Sequence, residues 1–247
     1  MEDPLGAARA LLAERFPDAL AGFLGGSTAR GEGTATSDLD VVVVLDPPAG
    51  CHAESLTWGS WPVELFVHTP ESARAFMGWD RDRGSGTMAF MCARGVVLLD
   101  RDGTAARLRD TAERILAAGP PAVTDAARDH RRYSVTDLRD DLLGARDEEE
   151  LLAVAAALLE GAAELLLAAR GHWRGGGKWL PRRLREADPE LAGLLLGGYR
   201  DLVRGGPREP FAAAVDAVLH TCGGPLWAGY RRTPDPRMLA ELGLRPD

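Results

Sequence analysis

Positive charge is what this chain has too little of. Its 247 residues carry 29 Lys+Arg against 37 Asp+Glu, a formal net charge of −8. Binding a phosphate backbone calls for a basic stripe, so the balance argues against a nucleic-acid substrate. It suits a small cationic partner, and equally a merely well-solvated surface. Cysteine is scarce as well. Cys51, Cys92 and Cys222 are widely spaced, which fits neither a disulfide framework nor a zinc site and points to a reducing cytoplasm. No basic n-region opens the chain at Met1-Glu2-Asp3-Pro4, so no signal peptide is expected. The longest apolar stretch, residues 151–169, is interrupted by Glu160 and Glu164 and reads as a bundle helix, not a membrane span. Internal repeats and low-complexity segments are absent.

What is present is concentrated near the N-terminus, in Leu24-Gly25-Gly26-Ser27-Thr28-Ala29-Arg30-Gly31. Ten residues separate Ser27 from Asp38-Leu39-Asp40, which opens the apolar run 41–45. Strand side chains alternate, so Asp38 and Asp40 share one face while Leu39, Val41 and Val43 take the other. Two neighbouring carboxylates repel unless a cation lies between them, and such hard oxygen ligands suit Mg²⁺ together with substrate phosphates. The Gly26-Ser27 turn offers backbone N–H groups at the start of a short helix, a setting that attracts phosphate. Arg30, one turn on, is placed to add a charge-assisted contact. Two further Asp-x-Asp triplets, Asp80-Arg81-Asp82 and Asp100-Arg101-Asp102, neither follow a Gly-Ser turn nor lead into an apolar strand, and read as solvated turns.

Gly26-Ser27, ten residues, then Asp38-Leu39-Asp40 resembles the signature of the nucleotidyltransferase superfamily that includes DNA polymerase beta and the aminoglycoside nucleotidyltransferases. The detailed resemblance covers residues 20–68. It implies a third carboxylate on a neighbouring strand, and the alternation of Trp61-Pro62-Val63-Glu64-Leu65-Phe66-Val67-His68 supplies Glu64, opposite in face to Trp61, Val63, Leu65 and Val67.

The remainder reads as two halves of an α+β protein. Helix is expected over 4–15, with Asp3 as N-cap and Pro4 at the first helical position. Strands are expected near 20–24, 39–45, 61–68 and 96–99, and helices from 70 and over 104–117. Gly119-Pro120-Pro121 breaks the chain, dividing a catalytic domain with a mixed sheet (1–118) from an all-α domain (119–247). Helices are expected over 124–145, 147–170, 178–186, 189–203 and 209–221, with a final short one after Thr233-Pro234-Asp235-Pro236.

The same order, a sheet domain followed by a helical one, is similar to that of antibiotic nucleotidyltransferases. Their active site lies in a cleft between the halves, and a lysine of the helical domain reaches the nucleotide phosphates; that role falls to Lys178, whose other reading is a surface lysine. Glu160 and Glu164, or Asp137, Asp140 and Asp141, either bind amines of a cationic acceptor or pair with Arg182, Arg183 and Arg185. His130 and His172 lack motif partners and read as structural or surface residues. The six tryptophans read chiefly as packing residues, with one or two available to stack on adenine or a sugar.

These readings imply a Mg²⁺-dependent enzyme that moves a nucleoside monophosphate, AMP from ATP in the favoured case, to a hydroxyl of a small aminoglycoside-like molecule, with release of pyrophosphate. Asp38 and Asp40 hold the metal; Glu64 is base, metal ligand or both; Gly26, Ser27, Arg30 and Lys178 bind the nucleotide. Two alternatives on the same fold stay open: adenylylation of a protein hydroxyl, and nucleotide binding without catalysis.

Overall fold

A computed structural model describes residues 3–34, 36–234 and 236–245. The chain divides into two compact units, Met1–Pro121 and Ala122–Asp247. The first unit is built on a five-stranded mixed sheet in the order β3-β4-β2-β1-β5. Its strands are β1 (Ala21–Leu24), β2 (Leu39–Val44), β3 (His52–Trp58), β4 (Trp61–His68) and β5 (Val96–Asp100). β2 runs parallel to β4; the pairs β1–β2, β1–β5 and β3–β4 are antiparallel.

The central position of β2 follows from its composition. Val41, Val42, Val43 and Val44 are all fully buried, as a β-branched run must be when both faces of a strand are covered. On one face Leu39, Val41, Val43, Val63, Leu65 and Val67 pack with Ala7, Ala8, Leu11 and Leu12 of helix α1 (Pro4–Arg15). Asp3 caps that helix by accepting from the N–H groups of Leu5 and Gly6, as its sequence position suggests. On the other face Phe23, Val42 and Val44 pack with Ala73, Met77, Met88, Cys92 and Leu108. These come from α2 (Pro70–Asp82), α3 (Thr87–Arg94) and α4 (Thr104–Ala118).

Sequence periodicity predicts neither β3 nor α3. β3 is the edge strand beyond β4, and only alternate residues of it are partly covered. Leu56 and Trp58 pack on the α1 side of the sheet, while Ala53, Ser55 and Thr57 are exposed. A strand with so little apolar face gives no alternation to read. It forms because Gly59, at φ 58°, lets Trp58 turn into register with Trp61, and because Arg15 makes two 3.1 Å bonds to Glu54. α3 starts at Gly86 without a cap of its own. Its first turn is satisfied from α2 instead: Met88 N–H donates to Asp80 Oδ2 at 2.8 Å.

That bond corrects the reading of the two extra acid triplets. Asp80 is buried and also accepts from the Ser85 hydroxyl. Asp100 accepts from the N–H groups of Ala105 and Ala106 at the start of α4. Each is a helix cap supplied from a preceding element, not a solvated turn.

The second unit is helical: α5 (Asp125–Gly144), α6 (Glu148–Ala169), α7 (Trp179–Ala187), α8 (Pro189–Val203), α9 (Glu209–Thr221) and α10 (Pro236–Glu241). By length and composition α6 is apolar enough to cross a membrane. Here Leu158, Ala162, Leu165 and Leu166 are buried in one core with Val135, Leu195, Phe211 and Val218, and α5, α7, α8 and α9 all touch it. Two of the acids singled out in this unit pair with arginines outside α7. Glu164 pairs with Arg174 and Asp140 with Arg139, which also holds Asp216; Glu160 is exposed.

Asp80→Ala leaves the buried Met88 N–H without its acceptor and is expected to lower stability by about 1–3 kcal/mol. Asp82→Ala, on an exposed side chain of the same helix, is expected to stay within about 0.5 kcal/mol. Urea unfolding of both variants, with midpoints compared at constant m, checks the contrast.

Candidate active site

The site is assembled by strand pairing. Parallel register places Asp40 opposite Glu64, flanked by the pairs Leu39–Val63 and Val41–Leu65. Because the leucine and valine partners of these pairs point into the α1 face of the core, Asp40 and Glu64 must point to the other face. Asp38 immediately precedes β2 and not within it. One carboxylate oxygen from each of Asp38, Asp40 and Glu64 lies within 4.8 Å of the others, and all three residues are partly buried. Three acids so close repel each other strongly when ionised. An all-oxygen donor set of this kind fits a hard divalent cation such as Mg²⁺.

The turn between β1 and β2 is fitted to this cluster. Gly25 N–H donates to the Asp40 carbonyl at 2.7 Å, which ties the turn to the acid strand. Gly26 has φ +69°, and a Cβ added there would lie 1.7 Å from Asp40 Oδ2. Both the backbone conformation and the space therefore require glycine. Thr28–Arg30 forms a single 3₁₀ turn closed by Gly31 in the left-handed region. So short a helix carries little macrodipole, which leaves anion attraction to the local N–H groups of the turn.

Two hydroxyl residues that motif spacing does not single out hold this loop in place. Thr28 donates through Oγ1 to the Asp38 carbonyl at 2.8 Å. Ser37, directly before the acid pair, accepts from Thr34 N–H at 2.8 Å, and its Oγ lies 3.4 Å from the Oγ of buried Ser27. The available signal is composition: all five hydroxyl residues in 27–37, Ser27, Thr28, Thr34, Thr36 and Ser37, bond within the loop or to the start of β2. Arg30 is exposed and makes a 3.4 Å contact to Glu32.

The other expected residues are placed as follows. Lys178 is exposed at the N-cap of α7, in the second unit. His68, beyond Glu64 on the same face of β4, is buried against Phe76 with ring centroids 4.9 Å apart. Burial first, and the neighbouring His52 second, hold its imidazole below the ordinary histidine pKa, so it is neutral near pH 7. His130 bonds through Nδ1 to the Tyr230 hydroxyl at 2.8 Å, which gives it a structural role. The tryptophans divide: Trp61 and Trp173 are buried, whereas Trp79 and Trp227 are exposed. Arg83 lies over the Trp79 ring at 3.7 Å. Cys51, Cys92 and Cys222 are free thiols, and burial pushes Cys92 up to about 12.

Residues 8–79 match the family model described as a nucleotidyltransferase domain. The span contains the glycine turn and all three acids. Over 89% of its length the chain is also similar to the solved structure of a nucleotidyltransferase-like protein from Exiguobacterium sibiricum 255-15. The match covers 74% of that protein at 14% identity and a TM-score of 0.43. No match is found among curated proteins.

Gly26→Ala is expected to push the Asp40 carboxylate out of the cluster and to cost at least about tenfold in divalent-cation affinity, roughly 1.4 kcal/mol. Calorimetric titration with Mn²⁺ as the probe measures it, with Gly31→Ala as the comparison. Gly31 shares the positive φ of Gly26, but a Cβ there has no atom within 4 Å. Equal losses in the two variants would assign the effect to backbone strain alone.

Proposed function

We propose that this chain is a Mg²⁺-dependent nucleotidyltransferase that moves AMP from ATP to a hydroxyl of a small cationic acceptor of the aminoglycoside kind. The observation that carries the reading is the meeting of the Asp38, Asp40 and Glu64 carboxylates beside a glycine turn that admits no side chain, within the span that matches the nucleotidyltransferase domain. The net charge of −8 supports the cationic acceptor through charge attraction.

In this reading the backbone N–H groups of the Gly26-Ser27 turn bind the nucleotide phosphates, and Asp38 and Asp40 are the metal-holding pair. When bound, Mg²⁺ neutralises charge on the phosphates and orients them. The protein's part in an in-line displacement is positioning more than covalent chemistry. The acceptor oxygen forms a bond to the α-phosphorus as the bond to the bridging oxygen of pyrophosphate breaks. Glu64 accepts the proton that the acceptor hydroxyl loses, with a secondary metal contact. Arg30 and Lys178, the one lysine in the sequence, are the proposed cationic contacts to the phosphates.

A pyrophosphate-release screen with ATP, GTP, CTP and UTP against a panel of amino-sugar antibiotics tests the reading directly. Asp38→Asn and Asp40→Asn are expected to fold normally and lose about 10³-fold in turnover, roughly 4 kcal/mol of transition-state stabilisation. Near wild-type turnover in either would remove the metal assignment. Glu64→Gln is expected to keep Mg-nucleotide affinity while kcat falls by about 10²–10⁴. Nucleotide affinity that collapses and is rescued by excess Mg²⁺ would make Glu64 a metal ligand instead.

A further inference from the structure

The register of the sheet sets four functional positions in one line. Gly25, at the entrance to the glycine turn, bonds to Asp40 on β2; Asp40 is opposite Glu64 on β4; and Glu64 is opposite Ser55 on β3. Residues directly opposite each other on neighbouring strands share a face, at steps of about 5 Å. Ser55 therefore stands on the acid-bearing face, one step beyond Glu64 and about 10 Å from Asp40. Ala53 and Thr57 flank it on that face, opposite Phe66 and Pro62.

The two faces of β3 are used differently. Toward α1, Glu54 is bonded to Arg15 while Leu56 and Trp58 pack into the core. Toward the acids, Ala53, Ser55 and Thr57 are all small, and all are exposed. The chain thus ends its sheet, beside the acid cluster, on a shelf of two hydroxyls and a methyl with open space above it.

In-line displacement fixes which side of the cluster each reactant takes, because the attacking oxygen enters opposite the leaving group. Resting on the nucleotidyltransferase reading above, the phosphates lie on the glycine-turn side, so the attacking hydroxyl arrives from the side of β3. We propose that Ser55, with Thr57 and Ala53 beside it, forms the acceptor-binding wall of the site and that the Ser55 hydroxyl bonds a hydroxyl of a sugar-like acceptor next to the one that reacts. A serine hydroxyl both donates and accepts, which matches the vicinal hydroxyls and amines of an amino sugar, and its small size leaves room for a ring.

The test uses full-length protein, glycerol at molar concentration as the hydroxyl acceptor and water as its competitor. Products of MgATP turnover are separated into AMP and AMP–glycerol, and Mg-nucleotide affinity is measured in parallel with a fluorescent ATP analogue. Ser55→Trp fills the wall and is expected to lower the AMP–glycerol to AMP ratio at least about tenfold, with nucleotide affinity unchanged. Ser55→Ala, which removes only the hydroxyl, is expected to lower it about threefold. A ratio that stays at the wild-type value in both variants overturns the proposal. If wild-type protein forms neither product from any of the four nucleoside triphosphates, it is the nucleotidyltransferase reading that falls. The two failures are therefore distinct.

Discussion

Three carboxylates held within 4.8 Å of one another repel, and the first unit is arranged so that they cannot separate. Asp40 and Glu64 are locked by the parallel pairing of β2 and β4. A one-residue slip of either strand would turn Asp40 or Glu64 into the core under α1. Asp38 is held by the Thr28 hydroxyl bonded to its carbonyl. The hydrophobic core therefore holds like charges together at the start of β2, in an all-oxygen set of the kind that fits a divalent cation.

The glycine turn is part of the same constraint. The Asp40 carboxylate occupies the space where a Gly26 side chain would stand, so the backbone of the turn and the acid are fitted to each other. Neither can be displaced alone. The site behaves mechanically as one piece made of the end of β1, the 3₁₀ turn and the start of β2, tied at Gly25 to the Asp40 carbonyl.

The legible parts of this molecule were those set by local chemistry. Strand alternation put Glu64 on the face opposite Val63 and Leu65, and the start of α1 followed from its cap, Asp3. What could not be read depends on distant partners. α3 is capped by Asp80, eight residues before Met88 in sequence and on another helix, so no N-cap residue marks its start. β3 owes its place to β4 and to Arg15, not to its own hydrophobicity. The acids of the second unit were equally illegible, since spacing does not reveal that Glu164 meets Arg174 or that Asp140 and Asp216 share Arg139.

The open face of β3 has an evolutionary consequence. Ala53, Ser55 and Thr57 contribute no buried apolar side chain, so changes there cost the fold little, typically within about 0.5 kcal/mol. Yet they stand one strand from Glu64. Most enzymes that acquire a new substrate must spend stability to reshape a pocket built from core residues. Here the residues beside the acid cluster are decoupled from the ones that hold the sheet together. Under the proposed function, selection, or a combinatorial library confined to three alternate positions of a single edge strand, explores new acceptors while the valine core and the acid cluster stay fixed.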